Sequence, residues 1–199
     1  RKLEKIVKKK YDIVIIDDSG SEWLEYCIPE ECTYLTIKNR TNIPYIKSLS
    51  FLYNLFRGAI NGNGLASISL LSSIILELKP RAVLTFIDNN RFMGVLQTMF
   101  PEIYFFSVQQ GIRFNDSSFV SRGKYFTFPH YFGFGDHEFD MMKSKNASVK
   151  NYYSKGSFKM GVFLSYLYTP SVESNNIKTI CLISQYKGYC NDLSDLSIA

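Results

Sequence analysis

The side chains able to do chemistry gather where apolar runs give way to polar residues. The sharpest case is Gln109-Gln110-Gly111-Ile112-Arg113, which follows the apolar run 103–108 (IYFFSV) without a linker. Gln110, with Gln109 beside it, offers a donor and an acceptor to hydroxyl groups, and Arg113 suits a phosphate or carboxylate. Gly111 permits a tight or left-handed turn between them. Asp88-Asn89-Asn90-Arg91 follows residues 82–87 (AVLTFI) and presents a carboxylate, two amides and a guanidinium. Asp88 is a candidate general base, while Asn90 equally suits the cap of a following helix. Asp17, Asp18 and Ser19 hold the corresponding place after residues 11–17 (YDIVIID), as acceptor- or phosphate-binding groups or as a plain loop cap. His130, next to Pro129 at the start of an apolar run, is either a base or a hydrogen-bonded core residue. Asp136 and Glu138 flank the second histidine, His137, where capping and helix-dipole complementarity account for both acids. Arg122 and Lys124, with Arg113, make this neighbourhood electropositive if they converge, or are scattered charges of a surface loop.

What positions these residues is an alternation of strands and helices. Residues 11–17, 33–37, 82–87 and 103–108 read as buried strands, with shorter ones at 131–134 and 151–154. Helices are expected over 21–26, 46–60, 65–79, 92–100 and 136–142, with Asn61-Gly62-Asn63-Gly64 and Pro101 as stops. Strands and helices joined by short connections imply right-handed crossovers, so the expected fold is α/β, a mainly parallel sheet covered by helices on both faces. Chemistry then belongs in loops at the carboxyl ends of the strands, where open α/β sheets bind their ligands. Residues 1–168 form the expected main domain. The polar, turn-rich stretch 169–176 reads as a linker, and 177–199 as the start of a truncated second domain.

Motifs exclude several chemistries. There is no G-x-G-x-x-G, P-loop, H-E-x-x-H, G-x-S-x-G or C-x-x-C in the chain, which removes the usual supports for dinucleotide, P-loop phosphoryl-transfer and zinc chemistry. No metal and no cofactor are expected. The cysteines, Cys27, Cys32, Cys181 and Cys190, read as reduced and buried. No apolar run reaches the roughly 20 residues of a membrane span, and a cytoplasmic location is expected, with no nucleic-acid partner. The formal charge of +5 is concentrated at the start, where Arg1, Lys2, Lys5, Lys8, Lys9 and Lys10 interleave with Leu3, Ile6 and Val7. That pattern predicts a short amphipathic helix, solvated or in weak peripheral contact with the inner membrane face.

Residues 83–113, together with 130–136 (HYFGFGD), 153–158 (YSKGSF) and 180–186 (ICLISQY), resemble bacterial surface-carbohydrate biosynthesis proteins of the two-Rossmann-domain (GT-B) glycosyltransferase type. The resemblance implies a Rossmann-like N-terminal domain that holds a saccharide or lipid-linked acceptor, while a second domain holds the nucleotide-sugar donor. It implies that Asp88 assists at the acceptor hydroxyl and that Gln110 and Arg113 position substrate in capsule or lipopolysaccharide assembly. It implies equally that the piece present here is inactive without the missing half. The Gln-Gln-Gly-Ile-Arg turn is also similar to the Glu-Ala-Gly-Leu-Arg turn of UDP-GlcNAc 2-epimerases, although no carboxylate precedes this glycine. CDP-glycerol phosphotransferases and Kdo transferases are further look-alikes, so a sugar-nucleotide epimerase or polyol-phosphate transferase is one rival. The other is a non-catalytic interaction domain of a polysaccharide assembly complex.

Overall fold

A computed structural model describes residues 1–17, 20–60, 66–88, 92–111, 120–121 and 124–167. The chain divides into a unit over Arg1–Leu167 and one over Tyr168–Ala199. The proposed linker and second domain fall in the latter, outside the described residues.

The first third contains β1 (Lys2–Ile6), β2 (Ile13–Ile16), α1 (Ser21–Glu25), β3 (Tyr34–Ile37), β4 (Asn42–Ile46) and α2 (Leu49–Ile60). Then come α3 (Ala66–Leu78), β5 (Ala82–Thr85), α4 (Phe92–Met99) and β6 (Tyr104–Val108). After the two-residue pair β7 (Val120–Ser121) and β8 (Lys124–Tyr125), the chain continues with β9 (Thr127–Gly133), α5 (Asp136–Ser144), β10 (Ser148–Ser154) and α6 (Phe158–Leu167).

Six strands form one wholly parallel sheet in the order β10-β9-β6-β5-β2-β3. Alternation of side chains along each strand decides which helix each face receives. Val14, Ile16, Val83 and Phe105 pack with α3 and α4 through Ile68, Leu71, Ile75, Met93 and Leu96. Ile15, Leu84 and Val108 turn to the other face and meet Leu24 of α1 and Phe158 of α6. Helices therefore cover both faces of a Rossmann-like α/β domain, as the alternation in the sequence requires.

The chain start departs from the expected helix. Residues 2–6 form β1, parallel to β4 in a separate two-stranded sheet, with Leu3 opposite Ile43. Asn42 donates a side-chain hydrogen bond to Glu4 at 2.8 Å, and Lys8 pairs with Glu77 of α3 at 2.6 Å. A backbone partner outweighs the helical pattern, since ten residues carrying few apolar groups cannot hold a helix by themselves. β9 also starts earlier than Pro129 suggests, leaving His130 in mid-strand. The chain tolerates this proline because the register with β10 skips it, and Asn151 donates its side-chain amide to the Pro129 carbonyl at 3.1 Å. Helix α1 is preceded by Gly20 at φ 79°, and α5 is preceded by Gly135, with Asp136 already its first residue and not its cap. Cys27 is exposed and Cys32 half-buried, both as free thiols, against the expectation of buried ones. Among the described residues no helix is long and apolar enough to cross a membrane.

Candidate functional site

From β2 the chain turns to β3 on one side, and later returns to place β5 on the other. That reversal places the carboxyl ends of β2 and β5 at the position where open parallel sheets of this kind receive ligands. Asp17 follows β2, Asp88 follows β5, and Gln109 follows β6, the next strand across. The rim that carries all three lies one to three residues beyond a register row in which Ile16, Thr85, Ser107 and Tyr131 lie side by side on four adjacent strands.

Thr85 fastens the first two strands. Its hydroxyl donates to the Ile16 carbonyl at 3.1 Å and accepts the Ile87 amide at 3.1 Å, which aims the chain toward Asp88. Asp88 has no exposed surface, and its Oδ2 accepts a 2.7 Å hydrogen bond from the Tyr131 hydroxyl, itself fully buried. Nothing in the sequence pairs these two residues, which are 43 positions apart. Only the adjacency of β6 and β9 carries Tyr131 to the end of β5. Between them the Ser107 hydroxyl, 1% exposed, has no hydrogen-bond partner among the described residues.

Asp17 holds the opposite wall in a left-handed backbone conformation, φ 77°, which a side chain other than glycine adopts at a cost. Two contacts over-determine it. Its amide donates to the Ile37 carbonyl at 2.9 Å, and its carboxylate, 5% exposed, pairs with the Nε of Arg40 at 2.5 Å. Arg40, in the turn after β3, was not singled out in the sequence because that turn, Lys38-Asn39-Arg40-Thr41, reads as an ordinary polar loop.

Gln109 braces the third wall. Its amide proton goes to the Phe132 carbonyl at 2.9 Å. Its side chain accepts the Phe134 amide at 2.9 Å and donates to the Gly111 carbonyl at 3.0 Å. With 1% of its surface exposed, Gln109 is a brace, whereas Gln110 and Gly111 are half-buried at the mouth. Gly111 does not use the left-handed region, and a Cβ built there meets nothing within 4 Å among the described residues.

His130 does not join this rim. It lies opposite Phe106 in the sheet, four residues before Phe134, a chain distance of about 13 Å. Its ring is 4.8 Å from that of Phe106 and parallel to Tyr153, whose hydroxyl is 3.0 Å from Nδ1. Burial, with a contribution from Lys150, holds its pKa below the ordinary histidine value. Ser19, Asn89, Asn90, Arg91 and Arg113 lie outside the described residues.

The rim thus has two buried carboxylates at the ends of adjacent strands and an amide-bearing turn beside them. Such a set holds its side chains rigid and leaves the half-buried Gln110 and the Gly111 backbone to meet the hydroxyls of a polyhydroxylated ligand. No group of three or more metal-ligating side chains occurs among the described residues. Comparison with protein-family models, with curated proteins and with solved structures gives no match for this chain.

Proposed function

We propose that this chain is the acceptor-side domain of a two-domain glycosyltransferase, moving a sugar from a nucleotide-sugar donor to a saccharide or lipid-linked acceptor in bacterial surface polysaccharide assembly. The observation that carries the reading is the convergence of Asp17, Asp88 and the Gln109–Gly111 turn on one rim at the reversal of strand order. Had Asp88 and that turn fallen on opposite rims, a shared sugar site would be ruled out. In this reading Gln110 meets sugar hydroxyls, while Asp17 with Arg40 and Asp88 with Tyr131 wall the pocket, Asp88 being too deeply buried to meet the acceptor hydroxyl directly. The cytoplasmic side of the inner membrane is the corresponding place of action.

The test is a titration of the isotope-labelled 199-residue chain with nucleotide sugars and with oligosaccharides. Expected are amide shifts centred on Asp17, Asp88 and Gln109–Gly111, together with an affinity about tenfold weaker in Gln110→Ala, as the loss of one well-made hydrogen bond gives. Shifts confined to other surfaces, or unchanged affinity in Gln110→Ala, overturn the reading.

A further inference from the structure

Helix α2 carries two apolar stripes on opposite sides. Phe51 and Leu55 face inward, and Gly58 lies so close to α3 that a Cβ there would come within 3.0 Å of the Ser69 side chain. Leu49, Leu52, Tyr53 and Phe56 face outward with 86%, 58%, 63% and 67% of their surface exposed. At 100° per residue these four fall within an arc of about 100°, a stripe roughly 10 Å long. Fold stability does not call for it, since the opposite stripe already seats the helix on α3.

Its charge surroundings are one-sided. No acidic residue occurs between Glu31 and Glu77, while Lys38, Arg40, Lys47 and Arg57 do. With the basic first ten residues, whose strand β1 pairs with β4 directly before α2, the segments 1–10 and 38–60 hold ten Lys or Arg against the single acid Glu4. Those segments carry +9, and +7 once the partner acids Glu77 and Asp17 are included, which still exceeds the +5 of the entire chain. Lys8 and Arg40 are engaged by Glu77 and Asp17, but Lys47 and Arg57 are exposed at the two ends of the stripe and form no ion pair among the described residues. Lys47 shares with Leu49 and Leu52 a groove of about 490 Å³ that opens where β4 passes into α2.

From this pairing we infer that the outer face of α2 is a docking surface for an anionic lipid bilayer: Leu49, Leu52, Tyr53 and Phe56 enter the headgroup boundary, and Lys47 and Arg57 take lipid phosphates. Apolar insertion and attraction to negative headgroups are the two components of interfacial binding, and each basic residue near such a surface strengthens it several-fold. A second copy of the chain fits the same face poorly. A stable dimer interface covers about 800 Å² on each partner, more than this short stripe offers, and a two-fold pairing would bring basic residues together, the nearby acid Glu77 being already engaged by Lys8. The inference is independent of the sugar-transfer reading, because no residue of the rim takes part.

Co-sedimentation of the whole chain with vesicles of phosphatidylcholine alone, and with phosphatidylglycerol mixed in, tests it. Binding is expected only to the anionic vesicles and should fall steeply with salt. Leu52→Ser with Phe56→Ser should lower it at least tenfold, as should Lys47→Glu with Arg57→Glu, while circular dichroism stays unchanged because all four side chains are exposed. A Tyr53→Trp reporter in a Trp23→Phe background should shift its emission to the blue only on adding anionic vesicles. Equal binding to both vesicle types, no binding, or binding unaffected by either double variant overturns the inference. So does reporter emission already blue-shifted without lipid, or a dimer in sedimentation velocity that Leu52→Ser with Phe56→Ser abolishes, since either means that protein covers the face. Loss of saccharide titration at the rim would leave all these outcomes as they stand, so the two readings fail separately.

Discussion

Replacing Tyr131 by Phe removes one hydroxyl from the most buried part of the candidate site and little else. The ring keeps its packing, 5.0 Å from Phe128 and 5.9 Å from Tyr152 between centroids. What disappears is the 2.7 Å hydrogen bond to Asp88. Both residues have no exposed surface, so water cannot replace the donor without opening the core. A hydrogen bond to a charged group contributes about 1.5–3 kcal/mol net, and because Asp88 and Tyr131 each keep other contacts a loss of about 2 kcal/mol is expected. At this chain length that corresponds to a fall in Tm of about 4–8 °C, or a urea midpoint lower by about 1 M at unchanged slope. A double-mutant cycle with Asp88→Asn isolates the pair, and the singles should fall short of additivity by about 1–2 kcal/mol. Ser107→Ala is the internal control. It deletes a neighbouring buried hydroxyl that has no partner among the described residues, so it should leave stability within about 0.5 kcal/mol or raise it. If Tyr131→Phe also stays within about 0.5 kcal/mol, or the cycle closes additively, the polar row does not organise the rim and the argument from it fails.

Gln109→Leu should cost about 2 kcal/mol by stripping two side-chain hydrogen bonds, and the Phe134 amide, which loses its acceptor, should exchange with deuterium markedly faster. Gly94→Ala drives a Cβ into the Thr127 carbonyl where α4 crosses β9, an overpacking worth about 1–3 kcal/mol in a thermal melt, whereas Gly111→Ala meets nothing among the described residues and should be neutral. His130 carries a pH signature. Burial depresses its pKa, so below about pH 6.5 the unfolded chain binds a proton that the folded chain resists, and the stability present above that pH is lost as the pH falls through the folded value. His130→Gln should therefore lose less stability than the parent between about pH 7.5 and pH 5.5 in urea titrations.

How much of this was legible follows from the range of the forces involved. Short-range patterns sufficed for β2, β5 and β6, because a strand buried on both faces must be apolar throughout and must end where polar residues begin. They failed at residues 2–6, where charge and apolar spacing mimic a helix and only the distant β4 supplies the backbone partner. They failed again at Pro129, a local stop signal that the sheet absorbs because Asn151 satisfies the carbonyl left by the skipped register. The rim residues were visible as types but not as roles. Gln109 and Gln110 are indistinguishable in sequence, yet strand alternation turns the first inward as a brace and leaves the second at the mouth.

The same logic separates the two surfaces of the molecule. The rim is made of polar groups bound to one another, Tyr131 to Asp88, Arg40 to Asp17 and Gln109 to Phe134 and Gly111, and such a network holds its geometry before any ligand arrives. The outer stripe of α2 is the reverse, with large apolar side chains that contribute to stability only once something removes them from water. A folded chain keeps the first kind of site by packing it. It keeps the second exposed although burial would be favourable, and the surrounding excess of Lys and Arg narrows the natural cover to a surface both apolar and negatively charged.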